Sequence, residues 1–402
     1  MEQVLYSLPD GWEWQTIEEV AQIGADRGFV PTPDSEGNVP FIGMTDIDQE
    51  TGQKSTYELR NFDDVKKGYT KFQRDAVLFA KITPCTENNK TALIDNVDGG
   101  FATTEVFPIH ALDSVEPKYL LHFFRSPSVR RFLIDHMEGA TGRQRVPLKA
   151  LKSVSVPVCG LKKQKRIVEK LDALLTRIDT AIEHLQQNLT LADALYASEL
   201  ANVFSSGQDK WPLRELNEVA EVARGKSKHR PRNDKSLFGG EYPFIQTGDV
   251  RNAQKYIRNY STTYNEKGLQ QSKLWPKDTI CLTIAANIGD VAILGMSACF
   301  PDSVVGISSS ELETDYLYYF LTTLQQQLDS KANAAAQKNI NLKILSEIKI
   351  PVPSLDEQKS IVRQINEIDR LAAKAKAEIS EKITMMQQLK ASILDSAFKG
   401  EL

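Results

Sequence analysis

Side chains suited to contacts with nucleic acid occur at corresponding places in the two halves of this chain of 402 residues. The first place holds Gly142-Arg143-Gln144-Arg145, and its counterpart holds Gln337-Lys338-Asn339. Small residues let a backbone approach a partner closely, and arginine and glutamine carry donors that suit guanine and adenine edges or phosphate groups. The same composition is typical of polar turns. The residues alone leave both interpretations open, a nucleic-acid contact and a solvent-exposed turn.

Polar residues that follow predicted strands form a second set of candidates. Short apolar runs predict strands at 41–44, 77–80 and 92–94, and again at 244–246, 280–284 and 291–294. The candidates in the loops after them are Lys81, Thr83, Asn88, Asn89 and Lys90 in the first half and Thr247, Thr283 and Asn287 in the second. Asp46 and Asp249 lie in similar loops, where they could equally well cap a turn.

The overall charge hides segments of opposite sign. The formal net charge is −4, but residues 1–64 alone carry 3 basic and 14 acidic side chains. A basic cluster in the second half surrounds Asp234 and His229, and its six cations are Arg224, Lys226, Lys228, Arg230, Arg232 and Lys235. The cations of the first half lie later, at Arg125, Arg130, Arg131, Arg143, Arg145, Lys149 and Lys152. One such cluster is most simply a solvated face, whereas clusters in both halves favour a surface that contacts phosphate groups.

No motif in the chain predicts a catalytic, metal or cofactor site. Gly225-Lys226-Ser227 lacks the glycine that a phosphate-binding loop needs five residues earlier, because position 220 is alanine. The five histidines and four cysteines are dispersed without metal-ligand spacing. The sequence also lacks a signal-peptide pattern and any apolar stretch of the roughly 20 residues that a membrane-spanning helix needs. We therefore expect a soluble, cytoplasmic protein without membrane contact and with no metal or cofactor of its own.

An internal repeat determines which elements must position these residues. Pro40-Phe41-Ile42 is matched by Pro243-Phe244-Ile245, and Val154-Ser155-Val156-Pro157-Val158 is matched by Ile348-Lys349-Ile350-Pro351-Val352. Gln164-Lys165 recurs as Gln358-Lys359 after the second of these strands. Short helices are predicted near 117–137 and near 313–333. The chain is therefore predicted to use one mixed α and β plan twice, which places it in the α+β class.

A long helix with an apolar seam is predicted at the end of each repeat. The first seam runs through Val168, Leu171, Leu175, Ile178, Ile182, Leu185, Leu189, Ala192 and Tyr196. The second runs through Ile361, Ile365, Ile368, Ala372, Ala375, Ile379, Met386, Leu389 and Ile393, with an interruption at Lys382. Spacings of three and four residues are typical of a coiled-coil seam, so the two helices are expected to pack on each other. We take ten of these residues as interface residues: Val168, Leu171, Leu175, Ile178, Ile182, Leu185, Ile365, Ile368, Ile379 and Met386.

The predicted organisation is a globular domain at 1–160, a helix at 161–206, a second globular domain at 207–355 and a second helix at 356–402. This order resembles the specificity (S) subunit of type I restriction-modification systems. The resemblance covers essentially the whole chain. Its motifs are Leu8-Pro9-Asp10-Gly11-Trp12, Phe79-Ala80-Lys81-Ile82-Thr83-Pro84-Cys85, Gly142-Arg143-Gln144-Arg145-Val146-Pro147, both proline-to-Gln-Lys junctions and Phe398-Lys399-Gly400-Glu401-Leu402.

The resemblance implies a DNA-recognition subunit that does no chemistry. Each globular part would be a target-recognition domain for one half of a bipartite site in double-stranded DNA, and the helices would form an antiparallel coiled coil as a spacer. Two methyltransferase (M) subunits and the restriction (R) subunits would be its partners, and these would use S-adenosylmethionine, ATP and Mg²⁺. The second domain has Ile284-Ala285-Ala286-Asn287 in place of the Ile-Thr-Pro-Cys run, which implies that the two halves recognise different sequences.

Two other functions remain open on the sequence. One is a self-sufficient nuclease or methyltransferase with an unrecognised site. The other is a coiled-coil scaffold or an inhibitor that mimics DNA, which the acidic segment 1–64 favours.

Overall fold

The computed structural model describes residues 3, 5–52, 56–206, 210–285, 288–325 and 341–402. The chain divides into two compact units. The first contains Met1–Gln186 and Ser380–Leu402, and the second contains Gln187–Ile379. Both divisions fall inside long helices, so each long helix contributes to both units. The limits predicted at 160, 206 and 355 instead lie within one residue of helix ends.

In the first unit, short strands and helices precede a long helix. In chain order they are β1 (Glu13–Thr16), α1 (Ile17–Val20), β2 (Ala21–Ile23), β3 (Asn38–Ile42), β4 (Glu58–Asn61), α2 (Phe62–Val65), β5 (Thr70–Gln73), β6 (Ala76–Ala80), β7 (Thr91–Ile94), β8 (Gly99–Ala102), β9 (Val106–Ala111), α3 (Pro117–Arg125), α4 (Pro127–Asp135), α5 (Leu148–Lys152), β10 (Ser155–Val158) and α6 (Leu161–Ser205). One four-stranded sheet has the order β2-β9-β6-β7, another has β4-β3-β8-β5, and β1 pairs with β10.

The second unit repeats much of this plan. Its elements are β11 (Leu213–Glu215), α7 (Leu216–Val219), β12 (Glu221–Arg224), β13 (Phe238–Pro243), α8 (Thr247–Asn252), β14 (Tyr256–Ile257), β15 (Thr263–Tyr264), α9 (Glu266–Gln270), β16 (Ile280–Thr283), β17 (Val291–Leu294), β18 (Val304–Ser308), α10 (Thr314–Thr323), α11 (Leu342–Ser346), β19 (Lys349–Pro351) and α12 (Leu355–Phe398). The sheet order β12-β18-β16-β17-β14 matches that of the first unit with one strand added, and β11 pairs with β19 as β1 pairs with β10. The predicted repeat and the mixed α and β class are confirmed.

The central strands are buried on both faces. In β6, Val77 and Phe79 belong to one core, whereas Ala76 and Leu78 belong to another. Side chains alternate between the faces of a strand, so a strand between two apolar layers must be apolar throughout. The predicted strand at 244–246 is wrong, because β13 ends at Pro243 and Phe244 makes only an isolated bridge to Cys299. The predicted helix near 117–137 is two helices, interrupted at Ser126 before Pro127.

A buried glutamine joins each long helix to its unit. Gln164 accepts a hydrogen bond from the Glu116 N–H at 2.9 Å and donates to the carbonyls of Ser114 and Cys159 at 2.9 and 2.6 Å. Gln358 accepts from the Glu313 N–H at 2.7 Å and donates to the carbonyls of Glu311 and Pro353. The repeated Gln-Lys motif of the sequence therefore marks a repeated anchor.

The long-helix segments of each unit run antiparallel. In the first unit, Phe398 at the end of α12 packs on Tyr119, whose hydroxyl donates to the Pro157 carbonyl shortly before α6 begins. In the second unit, Phe204 at the end of α6 packs on Tyr316, whose hydroxyl donates to the Pro351 carbonyl shortly before α12 begins. The expected antiparallel coiled coil is confirmed within each unit.

The ten predicted interface residues of the long helices are all at least half-buried. Val168, Leu171, Leu175, Ile178 and Ile365 are buried, and Ile182, Leu185, Ile368, Ile379 and Met386 are half-buried. Two further seam positions were wrong: Ala375 is exposed, and Leu389 is 47% exposed. Lysines occupy the adjacent inward positions and form ion pairs with the other helix, Lys376 with Asp193 at 2.7 Å and Lys390 with Asp179 at 2.6 Å. A search for apolar residues alone cannot find these positions.

Among the residues that the structure describes, no helix is both long enough and apolar enough to span a membrane.

Candidate nucleic-acid interface

The candidate residues of the first unit leave the central sheet at one end. Ala80, the last residue of β6, lies opposite Val106, the first residue of β9. The next residue, Lys81, donates its backbone N–H to the carbonyl of Glu105 at 2.9 Å. The 81–90 loop then returns the chain to β7, and the carbonyl of Lys90 accepts from the Ala80 N–H at 3.0 Å. All five candidates of this loop therefore lie at the same end of the sheet.

The Arg-Gln-Arg segment pairs with the 81–90 loop. The backbone of Arg145 forms an isolated antiparallel β-bridge with that of Ile82, and the Thr83 N–H donates to the Gln144 carbonyl at 3.0 Å. The Val146 N–H donates to the Lys81 carbonyl at 2.8 Å. Two motifs about 60 residues apart in the sequence thus form one surface, which the sequence could not show because the pairing depends on the tertiary fold.

Side chains on this surface differ in whether they already have a hydrogen-bond or ion-pair partner within the protein. Arg145 makes two hydrogen bonds to Glu105, at 2.9 and 2.8 Å. Lys81 lies 4.7 Å from the centre of the Phe107 ring, and its partial burial lowers the pKa of its ammonium group. Arg143 and Asn88 are exposed, and Gln144 is half-buried. Their side chains have no hydrogen-bond or ion-pair partner within the described part of the chain, so they remain available to a ligand.

The other candidates of this loop support its shape. Lys90 donates to the Met44 carbonyl at 2.6 Å, which joins the 81–90 loop to the 44–52 loop that follows β3. Asn89 adopts the left-handed conformation, with φ of +57°, and its Oδ1 atom is buried. The Thr83 hydroxyl donates to Glu87 at 3.1 Å. Direct contacts from these three residues to a ligand stay predictions.

The second unit places its candidates at the corresponding end of its sheet. Arg224, the last residue of β12, lies opposite Val305, and Thr283, the last residue of β16, lies opposite Val304. Thr283 is fully buried, and its hydroxyl accepts a hydrogen bond from the Asp290 N–H at 3.1 Å. Its side chain therefore supports the turn after β16 instead of facing solvent. The remaining candidates Asn287, Gln337, Lys338 and Asn339 lie outside the described residues.

The basic cluster after β12 is only partly neutralised. His229 Nε2 is hydrogen-bonded to Asp234 at 2.8 Å, and Arg232 forms an ion pair with Asp302 at 2.6 Å. Arg230 donates to the carbonyls of Ser227 and His229 at 2.6 and 2.8 Å. Hydrogen bonds from Ser236 and His229 lower the pKa of Asp234 to about 2. The exposed cations whose side chains have no hydrogen-bond or ion-pair partner among the described residues are Arg224, Lys226, Lys228 and Lys235.

The two aspartates in the strand-end loops have equivalent capping roles. Asp46 accepts from the Gly43 N–H at 2.8 Å, and Asp249 accepts from the Gln246 N–H at 2.8 Å. This geometry supports the capping interpretation for both. The cap at Asp249 fixes the start of α8, where Thr247 lies half-buried at the first helical position.

The sequence did not predict a polar groove that lies beside the edge strand β14. Its volume is about 750 Å³, and its lining includes Asn252, Gln254, Arg258, Asn259 and Tyr260, all exposed. Amide, guanidinium and aromatic groups are those that contact bases and phosphates in nucleic-acid complexes. The repeat did not reveal the groove because, among the described residues, the matching sheet of the first unit has no counterpart of β14.

The model of the type I restriction modification DNA specificity domain matches residues 9–191 and, a second time, residues 208–385. The chain belongs to this family. The specificity subunit of the type I restriction enzyme EcoAI from Escherichia coli is 34% identical over 196 residues, which are 48% of this chain and 32% of that protein. The EcoBI specificity subunit, also from Escherichia coli, is 24% identical over 439 residues, which are 99% of this chain and 88% of that protein. The chain thus spans about a third of the EcoAI subunit and most of the EcoBI subunit.

Solved structures agree with the specificity-domain fold. A chain from a structure of the type I R-M system, solved to explain complex assembly and conformational transition, has a TM-score of 0.79 and 23% identity, with 99% of this chain and 100% of that chain covered. The HsdS subunit from Thermoanaerobacter tengcongensis has a TM-score of 0.61 and 23% identity, with both chains fully covered. At these identities the similarity concerns the fold alone. It extends over both copies of the specificity domain, because the aligned regions cover nearly all of this chain.

Proposed function

We propose that this chain is the DNA-specificity subunit of a type I restriction-modification complex and that it recognises a bipartite, asymmetric site in double-stranded DNA. The observation that carries the proposal is the repeated placement of polar loops at one end of equivalent sheets. Each unit offers exposed donors at that end, Arg143 and Asn88 in the first and Arg224 and Lys226 in the second. Membership of the specificity-domain family supports the same assignment.

Different side chains in the two units favour different half-sites. The first unit presents an arginine, a glutamine and an asparagine close together, a set that suits base edges. The second presents several cations in sequence, which suit a phosphate backbone, and a separate groove with amides and an arginine. Two unlike surfaces on one repeated plan would recognise two unlike sequences.

The chain itself would bind DNA and partners without catalysing a reaction. Two M subunits would methylate adenine with S-adenosylmethionine, and the R subunits would supply the ATP- and Mg²⁺-dependent restriction activity. The complex would work in the cytoplasm. No residue of this chain is assigned a step in either reaction.

Reconstitution tests whether methyl transfer requires both this chain and the methyltransferase subunit. The chain and its methyltransferase subunit are each purified alone and are also combined, and all three samples are incubated with genomic DNA, Mg²⁺ and labelled S-adenosylmethionine. We expect methyl transfer only when both proteins are present. Methylation or cleavage by the chain alone would support the alternative of a self-sufficient enzyme, and an active methyltransferase that needs no added chain would contradict the proposal.

A further inference from the structure

A buried arginine joins the 81–90 loop of the first unit, which carries candidate residues, to the neighbouring 44–52 loop. Arg125, the last residue of α3, is only 5% exposed. One terminal nitrogen, Nη1, donates to the carbonyls of Thr91 and Asn89 at 2.9 and 3.3 Å. The other, Nη2, donates to the carbonyls of Gln49 and Glu50 at 3.0 and 2.7 Å. The first pair of carbonyls belongs to the end of the 81–90 loop and the start of β7, and the second belongs to the 44–52 loop.

This arrangement is specific for a guanidinium group. Burial lowers the pKa of Arg125 to about 10, so the group is still charged at neutral pH. A buried charge is costly unless hydrogen bonds compensate it, and here four backbone carbonyls do so. The planar guanidinium group has five N–H donors in a fixed geometry, whereas a lysine ammonium group has three donors around one atom. Lysine could therefore not bridge both loops in the same way.

The 44–52 loop is shaped to fit against Arg125. The Asp48 carboxylate accepts hydrogen bonds from the backbone N–H groups of Glu50 and Gly52, at 2.8 and 2.9 Å. Gly52 has a φ of +72°, and a Cβ atom there would lie 2.6 Å from the Thr91 carbonyl oxygen and 2.8 Å from Nη1 of Arg125. No side chain larger than glycine fits between the loop and the arginine.

A lysine of the C-terminal helix contacts the same loop. Lys390 forms its ion pair with Asp179 of α6 and also donates to the carbonyl of Glu50 at 3.2 Å. The Glu50 carbonyl thus receives one hydrogen bond from α3 and another from α12. Both long helices are connected to the loop through this pair of contacts.

Within its described residues, the second unit has no equivalent of this arrangement. Tyr119 and Tyr316 are equivalent, because the hydroxyl of each donates to a proline carbonyl shortly before a long helix. Arg125 lies six residues after Tyr119. The residue six positions after Tyr316 is Thr322, whose hydroxyl donates within its own helix, to the Tyr319 carbonyl at 2.7 Å. Changes at Arg125 should therefore affect the first unit selectively.

We propose that Arg125 and Lys390 are positioning residues for DNA recognition by the first unit. They fix the 44–52 and 81–90 loops against each other and against the long helices, so that Arg143, Gln144 and Asn88 face DNA in one arrangement. The inference rests on the proposed function, because it concerns the site at which the first unit would bind DNA. It adds a role for two residues that do not themselves contact the DNA.

The test compares the two half-sites within one protein. The target site is first determined by mapping methylated adenines, and methylation rates are then measured on duplexes with the intact site, with one half replaced and with the other half replaced. Arg125→Lys should reduce discrimination at one half-site by about tenfold, roughly the effect of one mismatched base pair. The other half-site is the internal control, because a misfolded protein would lose both. Arg143→Ala should affect the same half-site as Arg125→Lys.

The outcomes separate the inference from the function on which it rests. If the wild-type complex methylates no bipartite site, the proposed function fails. If it does so and Arg125→Lys reduces discrimination at both half-sites equally, or at neither, the positioning role is overturned. Lys390→Met should change the same half-site as Arg125→Lys. Lys376→Met is its matched control, since Lys376 also pairs with an aspartate of α6 but belongs to the second unit. An equal effect of the two lysine variants on that half-site would contradict the role of Lys390.

Discussion

At the scale of single residues, the fold divides the cations into paired and available groups. Arg145 and Arg232 form ion pairs with Glu105 and Asp302, whereas Arg143, Lys226 and Lys228 have no acidic partner among the described residues. An exposed cation keeps its full attraction for a phosphate group, but a paired one must first give up its carboxylate. The sequence showed which residues are basic but not which are paired, because both acidic partners lie 40 or more residues away in the chain.

The exposed cations of the second unit should contribute to the affinity for DNA of any base sequence. Replacement of both Lys226 and Lys228 by alanine should weaken binding to all duplexes and lower the slope of log K against log salt by about 2, since each phosphate contact contributes about 0.9. Binding is measured by fluorescence anisotropy between 50 and 200 mM salt. Arg232→Ala, which removes a paired cation, is the control and should change the slope by less than half as much. An unchanged slope in the double variant would exclude phosphate contacts from these lysines.

The groove beside β14 should instead affect sequence preference. Asn252→Ala and Arg258→Ala should each relax discrimination at one base pair, by about 1–3 kcal/mol, because amide and guanidinium groups make specific contacts with base edges. Binding to a library of duplexes with single-base changes measures this preference. Asn188→Ala, an exposed site on α6, provides the control. A uniform loss of affinity with no change in preferred sequence would mean that the groove contacts only the backbone.

At the scale of elements, the attachment of each long helix depends on contacts that are invisible along the chain. The repeated Gln-Lys motif was evident in the sequence, and so was the helix that follows it. The role of Gln164 was not, because two of its three partners, Ser114 and Glu116, lie about 50 residues earlier. Apolar spacing likewise found most of the seam but missed Lys376 and Lys390, whose charges are compensated by aspartates on the other helix.

Loss of a buried glutamine should destabilise its own unit. Gln164→Ala should lower the free energy of unfolding by about 2–4 kcal/mol, because it removes three hydrogen bonds and leaves the buried carbonyl of Cys159 without this partner. Gln358→Ala should have a similar effect on the second unit. Urea denaturation followed by circular dichroism measures the change, with Gln187→Ala, exposed on the same long helix as Gln164, as the control. Equal stabilities of Gln164→Ala and the control would show that this anchor is dispensable.

At the scale of the whole molecule, the repeat explains both what the sequence could predict and what it could not. Matching strands and matching Gln-Lys junctions were sufficient to predict two copies of one mixed plan, since short apolar runs and turn residues are local signals. The division into units could not be predicted, because it falls within uninterrupted helices where no local signal marks a boundary. The groove beside β14 lies where the two copies differ, so comparison of the copies could not reveal it.

The most direct test of recognition by two unlike units is a genome-wide map of methylated adenine in cells that carry the methyltransferase partner with and without this chain. We expect one methylated motif that has two unlike half-sequences separated by unspecified base pairs and that is lost when the chain is absent. A motif that persists without the chain, or a chain-dependent motif made of a single continuous sequence, would contradict the claim that two unlike units recognise two halves of one DNA site.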